Sequence, residues 1–407
     1  MTSATAEYLP LRTTAAPPDE AALAEAVRRA GAERCPVYPL GGRARLHYGA
    51  PPEAPGLGLA TTAMDRVLDH AADDMTITVE AGITIARLAE VLAARGQRLP
   101  IDAPQPGWAT IGGLVATNTF GPRRFGYRTI RDYLIGLRAV DGRGEAFAGG
   151  GRVVKNAAGY DMPRLLVGSL GTLGIVTEVS LMVRPVPEAA ALLVAKLPGL
   201  DAADCLLAGL AHSAARPVSI DVLNAGWGSD AAPAGEGDDG NVRLLVGFEG
   251  SRTEVAWMVD RLRGEWQDSS AREVTLLDTA ESAAMWQWIA ELPAHLQANV
   301  LPGRAGALLR AVAEIDPGCA LAVHAGDGVV KMRLSDEAAG DLPAVLAKLR
   351  PVVRQFDGSL VVLDAPPGSR LTRDDVWGPP RAVHPIMRAI KERFDPEGIL
   401  NPGRWVL

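Results

Sequence analysis

The stretch Asp102–Asn118, DAPQPGWATIGGLVATN, decides how this chain is read. Thr110-Ile111-Gly112-Gly113 is a turn feeding a short apolar helix. Such a turn offers backbone N–H donors, and Thr110, Thr117 and Asn118 add polar side chains. Small residues along the helix let a flat, phosphate-bearing ligand lie against it. Directly downstream, GPRRFGYRTIRD places Arg123, Arg124, Arg128 and Arg131 within nine positions. A basic cluster of this kind is either a solvated loop or part of an anion site.

Two further glycine-rich stretches flank this one. PLGGRARLHYG, Pro39–Gly49, sets Gly41-Gly42 after a short strand, where backbone can approach an anion closely and aim consecutive N–H groups at it. A dinucleotide pyrophosphate is such an anion, and Arg43 and Arg45 bring charge nearby; a plain strand-to-turn glycine pair is the alternative. GGGRVVKNAAGYDMPRLLVGSLGTLGIVTEV, Gly149–Val179, repeats glycine at Gly168, Gly171 and Gly174, crowding backbone against a close neighbour. Arg152, Lys155, Asn156 and Tyr160 stand there as polar residues amid apolar sequence. No GxGxxG opens a βαβ unit, and no GxxxxGK[ST] occurs, so a Rossmann or Walker phosphate site is not expected.

With 407 residues the chain has room for more than one core. Hydrophobic residues at 48% and charged residues at 22% suit a globular protein, and a net charge of −7 argues against nucleic acid as partner. Cys35, Cys205 and Cys319 lie far apart, so neither an iron–sulfur cluster nor a zinc site is expected; they read as three buried or half-buried free thiols in a reducing compartment. The N-terminus lacks the features of a secretory signal, and no apolar run is long enough to span a bilayer. The expectation is a cytoplasmic protein that meets a membrane only through partners.

Patterning predicts strands at 37–40, 76–80, 133–140 and 175–183, with helices after Asp19 and over 85–94. Beyond Pro185 and Pro187 the glycine-rich character fades. Strands are predicted at 192–196, 218–223, 242–248, 320–324, 329–334 and 360–363, with helices over 202–214 and 253–266. Residues 230–240 read as an exposed loop. The alternation suits an α+β fold with a ferredoxin-like second domain. A last helix from His384 leads into FDPEGILNPGRWVL, and no fixed-period repeat is visible.

In order and spacing these motifs resemble the FAD-binding domain of the vanillyl-alcohol oxidase/PCMH family, over roughly residues 17 to 187. FDPEGILNPGR is similar to that family's C-terminal segment, which returns to the flavin. Within the family, GPRRFGYRTIRDYLIG and KNAAGYDMPRLLVGSLGTLGIVTEV resemble most the E subunits of bacterial glycolate oxidases (glycolate dehydrogenases). The resemblance implies a two-part FAD-binding domain over 1–187, a cap over 188–380 and a returning segment over 381–407. It implies that Gly41, Gly42, Arg43 and Ala44 hold the pyrophosphate through backbone groups. Pro104, Thr110, Ile111, Gly112, Gly113, Thr117 and Asn118 would line the dinucleotide. Gly174, Ile175 and Val176 would flank the adenine end, and Asn401 would approach the isoalloxazine.

Where several members carry a His that links FAD covalently, this chain has Arg43, so the FAD is expected to be non-covalent. Related 2-hydroxy-acid dehydrogenases share HxGDGNxH and a later EHG, whose histidines bind a divalent metal and supply the base. Here the first stretch runs His324-Ala325-Gly326-Asp327-Gly328-Val329-Val330-Lys331, and the second region reads LDAPPG. No metal site is therefore expected. Lys155, Tyr160 and His324 remain as catalytic candidates. Trp286 and Trp288 read as core or interface packing in the cap, with the lining of a flavin cavity as the alternative.

The implied function is an FAD-dependent subunit that oxidises glycolate or a similar 2-hydroxy acid. Its partners would be a D-type flavoprotein subunit and an iron–sulfur subunit. A non-catalytic FAD scaffold and a stand-alone oxidase of another alcohol are the alternatives.

Overall fold

Asp19 starts a helix for one local reason: its carboxylate accepts from the Ala22 N–H at 2.8 Å, satisfying a first-turn donor of Glu20–Ala32. Leu23, Val27 and Ala30 of that helix are buried. The computed structural model describes residues 8–151, 161–227, 242–365, 369 and 371–406. The chain divides into two compact units, one of Met1–Phe120, Thr129–Val186 and Arg370–Leu407, the other of Gly121–Arg128 and Pro187–Ser369.

Among the described residues the first unit holds ten strands: β1 Leu11–Ala15, β2 Val37–Leu40, β3 Gly56–Ala60, β4 Val67–Ala71, β5 Thr76–Glu80, β6 Gln97–Arg98, β7 Leu134–Val140, β8 Ala146–Gly150, β9 Ile175–Met182 and β10 Arg184–Pro185. They form a parallel three-stranded sheet, β1-β3-β2, and an antiparallel five-stranded sheet, β4-β5-β9-β7-β8, with β10 and β6 pairing apart. This is the two-part arrangement that the family resemblance implied. The Glu20–Ala32 helix packs Leu23 and Val27 with Val37 and Leu59 of the first sheet and Val140 and Ile175 of the second. The chain end joins the same core through Ile399 and Leu400, bridging to β2 at Val37.

The second unit holds β11 Ala189–Leu197, β12 Ser219–Leu223, β13 Val242–Gly250, β14 Arg272–Leu277, β15 Leu296–Asn299, β16 Ala320–His324, β17 Val329–Arg333 and β18 Ser359–Val362. All pair antiparallel in one sheet, β14-β11-β13-β12-β16-β17-β15-β18. The order contains a duplication. From β11 to β14 the chain runs β-α-β-β-α-β with spatial order fourth, first, third, second, which is the ferredoxin-like arrangement; β15 to β18 repeat it. The two halves meet edge to edge through β12 and β16. The sequence has no period to announce this repeat, because the second half is shorter and shares topology alone.

Strands β1, β3, β4, β6, β8, β10, β14 and β15 were not legible from patterning. β3, GLGLA, has too much glycine to look like a strand, and β14, REVTLL, is a mostly exposed edge strand. The loop expected over 230–240 lies outside the described residues. Cys35 is half-buried and Cys319 buried, but Cys205 is exposed, which corrects the expectation of three sheltered thiols. The helix Leu200–Leu210 buries Ala203, Leu206 and Leu210, and Cys205 falls on its other face. Burial raises the Cys319 thiol to about 12, so it is inert.

Candidate functional site

The glycine motifs converge on one cleft in the first unit. Its empty volume, open mouth included, is about 1010 Å³. Gly41, Gly42, Arg43 and Ala44 line it from the turn after β2, and Pro104 and Thr110 from the loop before the helix Ile111–Thr117. Gly112, Gly113 and Thr117 add the helix itself, Gly174, Ile175 and Val176 the start of β9, and Asn401 the chain end. Thirteen of the fifteen residues expected to hold a dinucleotide thus share one surface. Ile111 and Asn118 are absent from that lining. Ile111 is fully buried in the core beside Leu114 and Val115. Asn118 closes the helix in the left-handed conformation, φ 49°, with its Oδ1 shut from solvent and without a hydrogen-bond partner among the described residues.

The helix contributes differently from the sequence expectation. Its first-turn donors are already spent: Ile111 N–H on the Ile83 carbonyl at 3.0 Å, Gly112 N–H on Ala81 at 2.9 Å, Gly113 N–H on Thr110 Oγ1 at 3.2 Å. What it offers is a wall without side chains at Gly112 and Gly113. The donors left over lie in the other turn: among the described residues, no acceptor takes the N–H of Gly41, Gly42 or Ala44. The two segments touch there. A Cβ on Gly41 would sit 2.3 Å from Thr110 Oγ1, and one on Gly42 would sit 1.4 Å from the Trp108 carbonyl oxygen. Glycine is required at Gly42 because backbone meets backbone. Unspent N–H groups beside a floor free of side chains fit the phosphate-bearing middle of FAD.

The chain end is built into the cleft. Asp395 accepts from the N–H groups of Ile399 at 3.1 Å and Leu400 at 2.8 Å, which forms the FDPEGIL turn. Lys391 pairs with Asp395 and donates to the carbonyls of Thr172 at 2.7 Å and Leu400 at 3.0 Å; burial holds its ammonium below the usual lysine range. Asn401 donates from Nδ2 to the Leu170 carbonyl at 2.6 Å. Arg404, 5% exposed, donates to the carbonyls of Leu46 and Tyr48 and also lines the cleft. Lys391, Arg404 and Asp395 escaped sequence reading, since nothing local marks them; Arg404 stood inside the quoted NPGR motif without a role.

Lys155 and Tyr160 lie outside the described residues, as do Arg152 and Asn156. His324 ends β16 in the second unit, 1% exposed, with Nδ1 2.6 Å from Asp221 Oδ1. β12 and β16 place the two directly opposite each other. A carboxylate on one ring nitrogen fixes the orientation and tautomer of the other. Lys331 is paired with Ala322 in the ladder, so it shares a sheet face with His324. The metal implied by the 2-hydroxy-acid dehydrogenases does not fit this arrangement: a cation stands where the pattern needs a second ligand. Among the described residues no cluster of three His, Cys, Asp or Glu could hold one.

The arginine-rich segment is structured. Arg123 pairs with Glu249 at 2.8 Å and stacks over Trp286, 4.7 Å from the ring centroid. Gly126 N–H donates to the Val218 carbonyl at 2.9 Å, tying the segment into the second unit. Trp286 is buried and donates to Ser219 Oγ at 2.9 Å, so it is core.

Residues 12–149 match the FAD binding domain family, and residues 381–405 match the C-terminal domain of FAD linked oxidases. The chain is 28% identical to the glycolate oxidase subunit GlcE of Escherichia coli, over 94% of this chain and 96% of that protein. It is 28% identical to a D-2-hydroxyglutarate dehydrogenase of Xanthomonas citri, over 93% of this chain and 85% of that protein. Among solved structures, alkyldihydroxyacetonephosphate synthase superposes with a TM-score of 0.70 and 19% identity, over 96% of this chain and 77% of that one. With both flavin-binding segments matched and a PCMH-type fold shared along its length, the chain is similar to the FAD-linked oxidases and is an FAD-dependent oxidoreductase.

Proposed function

We propose that this chain is one subunit of a complex that oxidises glycolate, or a similar 2-hydroxy acid, to the 2-oxo acid, with FAD held non-covalently in the cleft. The observation that carries the reading is the gathering of thirteen predicted cofactor residues on one surface. A glycolate oxidase subunit and a 2-hydroxy-acid dehydrogenase each align over more than nine-tenths of the chain. The proposed partners are a D-type flavoprotein subunit and an iron–sulfur subunit that takes the electrons. The complex would lie on the cytoplasmic side and reach a membrane only through those partners; among the described residues no helix is long and apolar enough to cross one.

FAD, when bound, supplies the two-electron acceptor for the α-carbon of the acid. Gly41, Gly42 and Ala44 would offer N–H groups to its phosphates, and Gly112 and Gly113 would leave room for its length. Arg43 stands where a covalent link would need an imidazole, and a guanidinium does not form that link. His324, held at Nδ1 by Asp221, is the catalytic candidate among the described residues.

A second reading has its own support. Lys331 and the LDAPPG stretch depart from the His-rich pattern of catalytic relatives, which favours an FAD scaffold whose partner does the chemistry. One experiment addresses both. The purified chain is mixed anaerobically with glycolate and the flavin absorbance followed, first alone and then with the partner subunits. Bleaching by the chain alone supports its own catalysis. Bleaching of its flavin only in the complex supports the scaffold, and none in either refutes the glycolate reading. Acid precipitation tests the linkage: the flavin is expected in the supernatant, and a yellow pellet would contradict a non-covalent bond.

A further inference from the structure

One end of the cleft carries more positive charge than the protein neutralises. Arg45 follows the glycine turn directly and lines the cleft, as does Arg404. Arg45 Nε is shut from solvent with no hydrogen-bond partner among the described residues, and its guanidinium rests over the Tyr48 ring at 5.4 Å. Arg404 satisfies its hydrogens on the Leu46 and Tyr48 carbonyls, but carbonyls bring no net charge. Among the described residues no carboxylate lies within ion-pairing distance of either guanidinium: Glu53, the acid of this region, is 3.5 Å from Arg373 instead. His47 sits between them in sequence and feels the imbalance. Burial first, then the charges of Arg45 and Arg404, lower its imidazole to about 4.

Burying a cation without a counter-charge is costly, and Arg404 is 5% exposed. We infer that Arg45 and Arg404 form a charge clamp for the diphosphate of the dinucleotide, an inference that rests on the cleft being the FAD site. The diphosphate is a dianion, so two guanidinium groups balance it. The turn at Gly41, Gly42 and Ala44 then supplies directed N–H donors, and the arginines supply charge. Division of labour of this kind separates two affinities. The glycine turn shapes the site for any flavin, whereas the clamp acts only on ligands with phosphate. A flavin without phosphate gains nothing from it.

The test is a fluorescence titration of the flavin-stripped full chain with FAD and with riboflavin, for the wild type, Arg45→Gln and Arg404→Lys. Thermal melting of each variant checks folding. Arg45→Gln is expected to weaken FAD binding about 10- to 100-fold and riboflavin binding less than about twofold. Its FAD affinity should also depend less on salt than that of the wild type. Arg404→Lys, which keeps the charge and loses the planar fork, is expected to fall between them. Wild-type affinity for FAD in Arg45→Gln overturns the clamp, and so does an equal loss for riboflavin. If the wild type itself fails to take up FAD, the cleft reading falls and the clamp with it. Should Arg404→Lys not fold, Arg45→Gln decides alone.

Discussion

The cleft of the first unit and the seam of the second are built from opposite materials. The cleft is made of backbone: a turn at Gly41-Gly42, a helix face at Gly112-Gly113, and a segment around Trp108 that a single added Cβ would strike. The seam between β12 and β16 is made of side chains, Asp221 against His324, each 1% exposed and 103 residues apart in sequence. Backbone sites tolerate almost any neighbour but demand glycine; side-chain seams tolerate backbone changes but demand a partner. The two regions should therefore fail differently.

The largest expected effect is in the cleft. Gly42→Val places its Cβ inside the Trp108 carbonyl, and since that obstacle is backbone, no rotamer relieves it. The variant should lose bound flavin altogether and about 3 kcal/mol or more of stability, comparable with severe strain or overpacking. The ratio of flavin to protein absorbance and a melting curve measure both. A flavin-replete Gly42→Val with an unchanged melt would break the backbone half of the comparison.

Next comes the seam. Asp221→Ala leaves His324 buried without its carboxylate, and such removals cost about 3 kcal/mol. Asp221→Asn keeps a hydrogen-bond acceptor and should cost about 1 kcal/mol. In both variants the flavin should stay bound, because the cleft residues are untouched. Urea denaturation followed alongside flavin retention separates the cases. Flavin loss at unchanged stability in Asp221→Ala would erase the distinction between the regions.

The same contrast explains what the sequence made legible. Glycine motifs are local in sequence, so the family resemblance they carry could name thirteen cofactor-cleft residues without any partner in view. Strands with β-branched runs, such as Thr76–Glu80 and Ile175–Met182, were equally readable. The Asp221–His324 pair was hidden because neither residue carries a local signal; only the antiparallel register of two edge strands brings them together. Lys391 and Arg404 were hidden for the same reason, their acceptors being carbonyls set by the fold. The ferredoxin-like duplication was half visible. Its strand–helix alternation showed, but its symmetry lies in the sheet order, which no residue encodes. Ile111 was assigned to the cleft because it sits between cleft residues; a helix turns each residue by about 100°, and that turn points Ile111 into the core.

The smallest effect is also the most diagnostic of the cleft's charge. His47 is held neutral in the folded chain, its value lowered to about 4 from the ordinary 6.5. An unfolded chain takes up that proton near 6.5, so between 6.5 and about 4 the unfolded state binds a proton the folded state refuses. Stability should thus fall as pH drops through this window, and be unaffected by His47 above it. His47→Gln cannot titrate, so it should lose part of that slope. After a discount for the half-buried ring's contact with solvent, the gap between variant and wild type should reach about 1 kcal/mol near pH ~5. Urea midpoints at neutral and acid pH measure it as a difference of differences, which cancels the carboxylates common to both chains. The slope should also shrink when FAD is bound, because a dianion beside Arg45 and Arg404 offsets the field that lowers His47. Equal slopes with and without FAD would mean that no anion reaches these arginines, and that backbone alone makes the cleft.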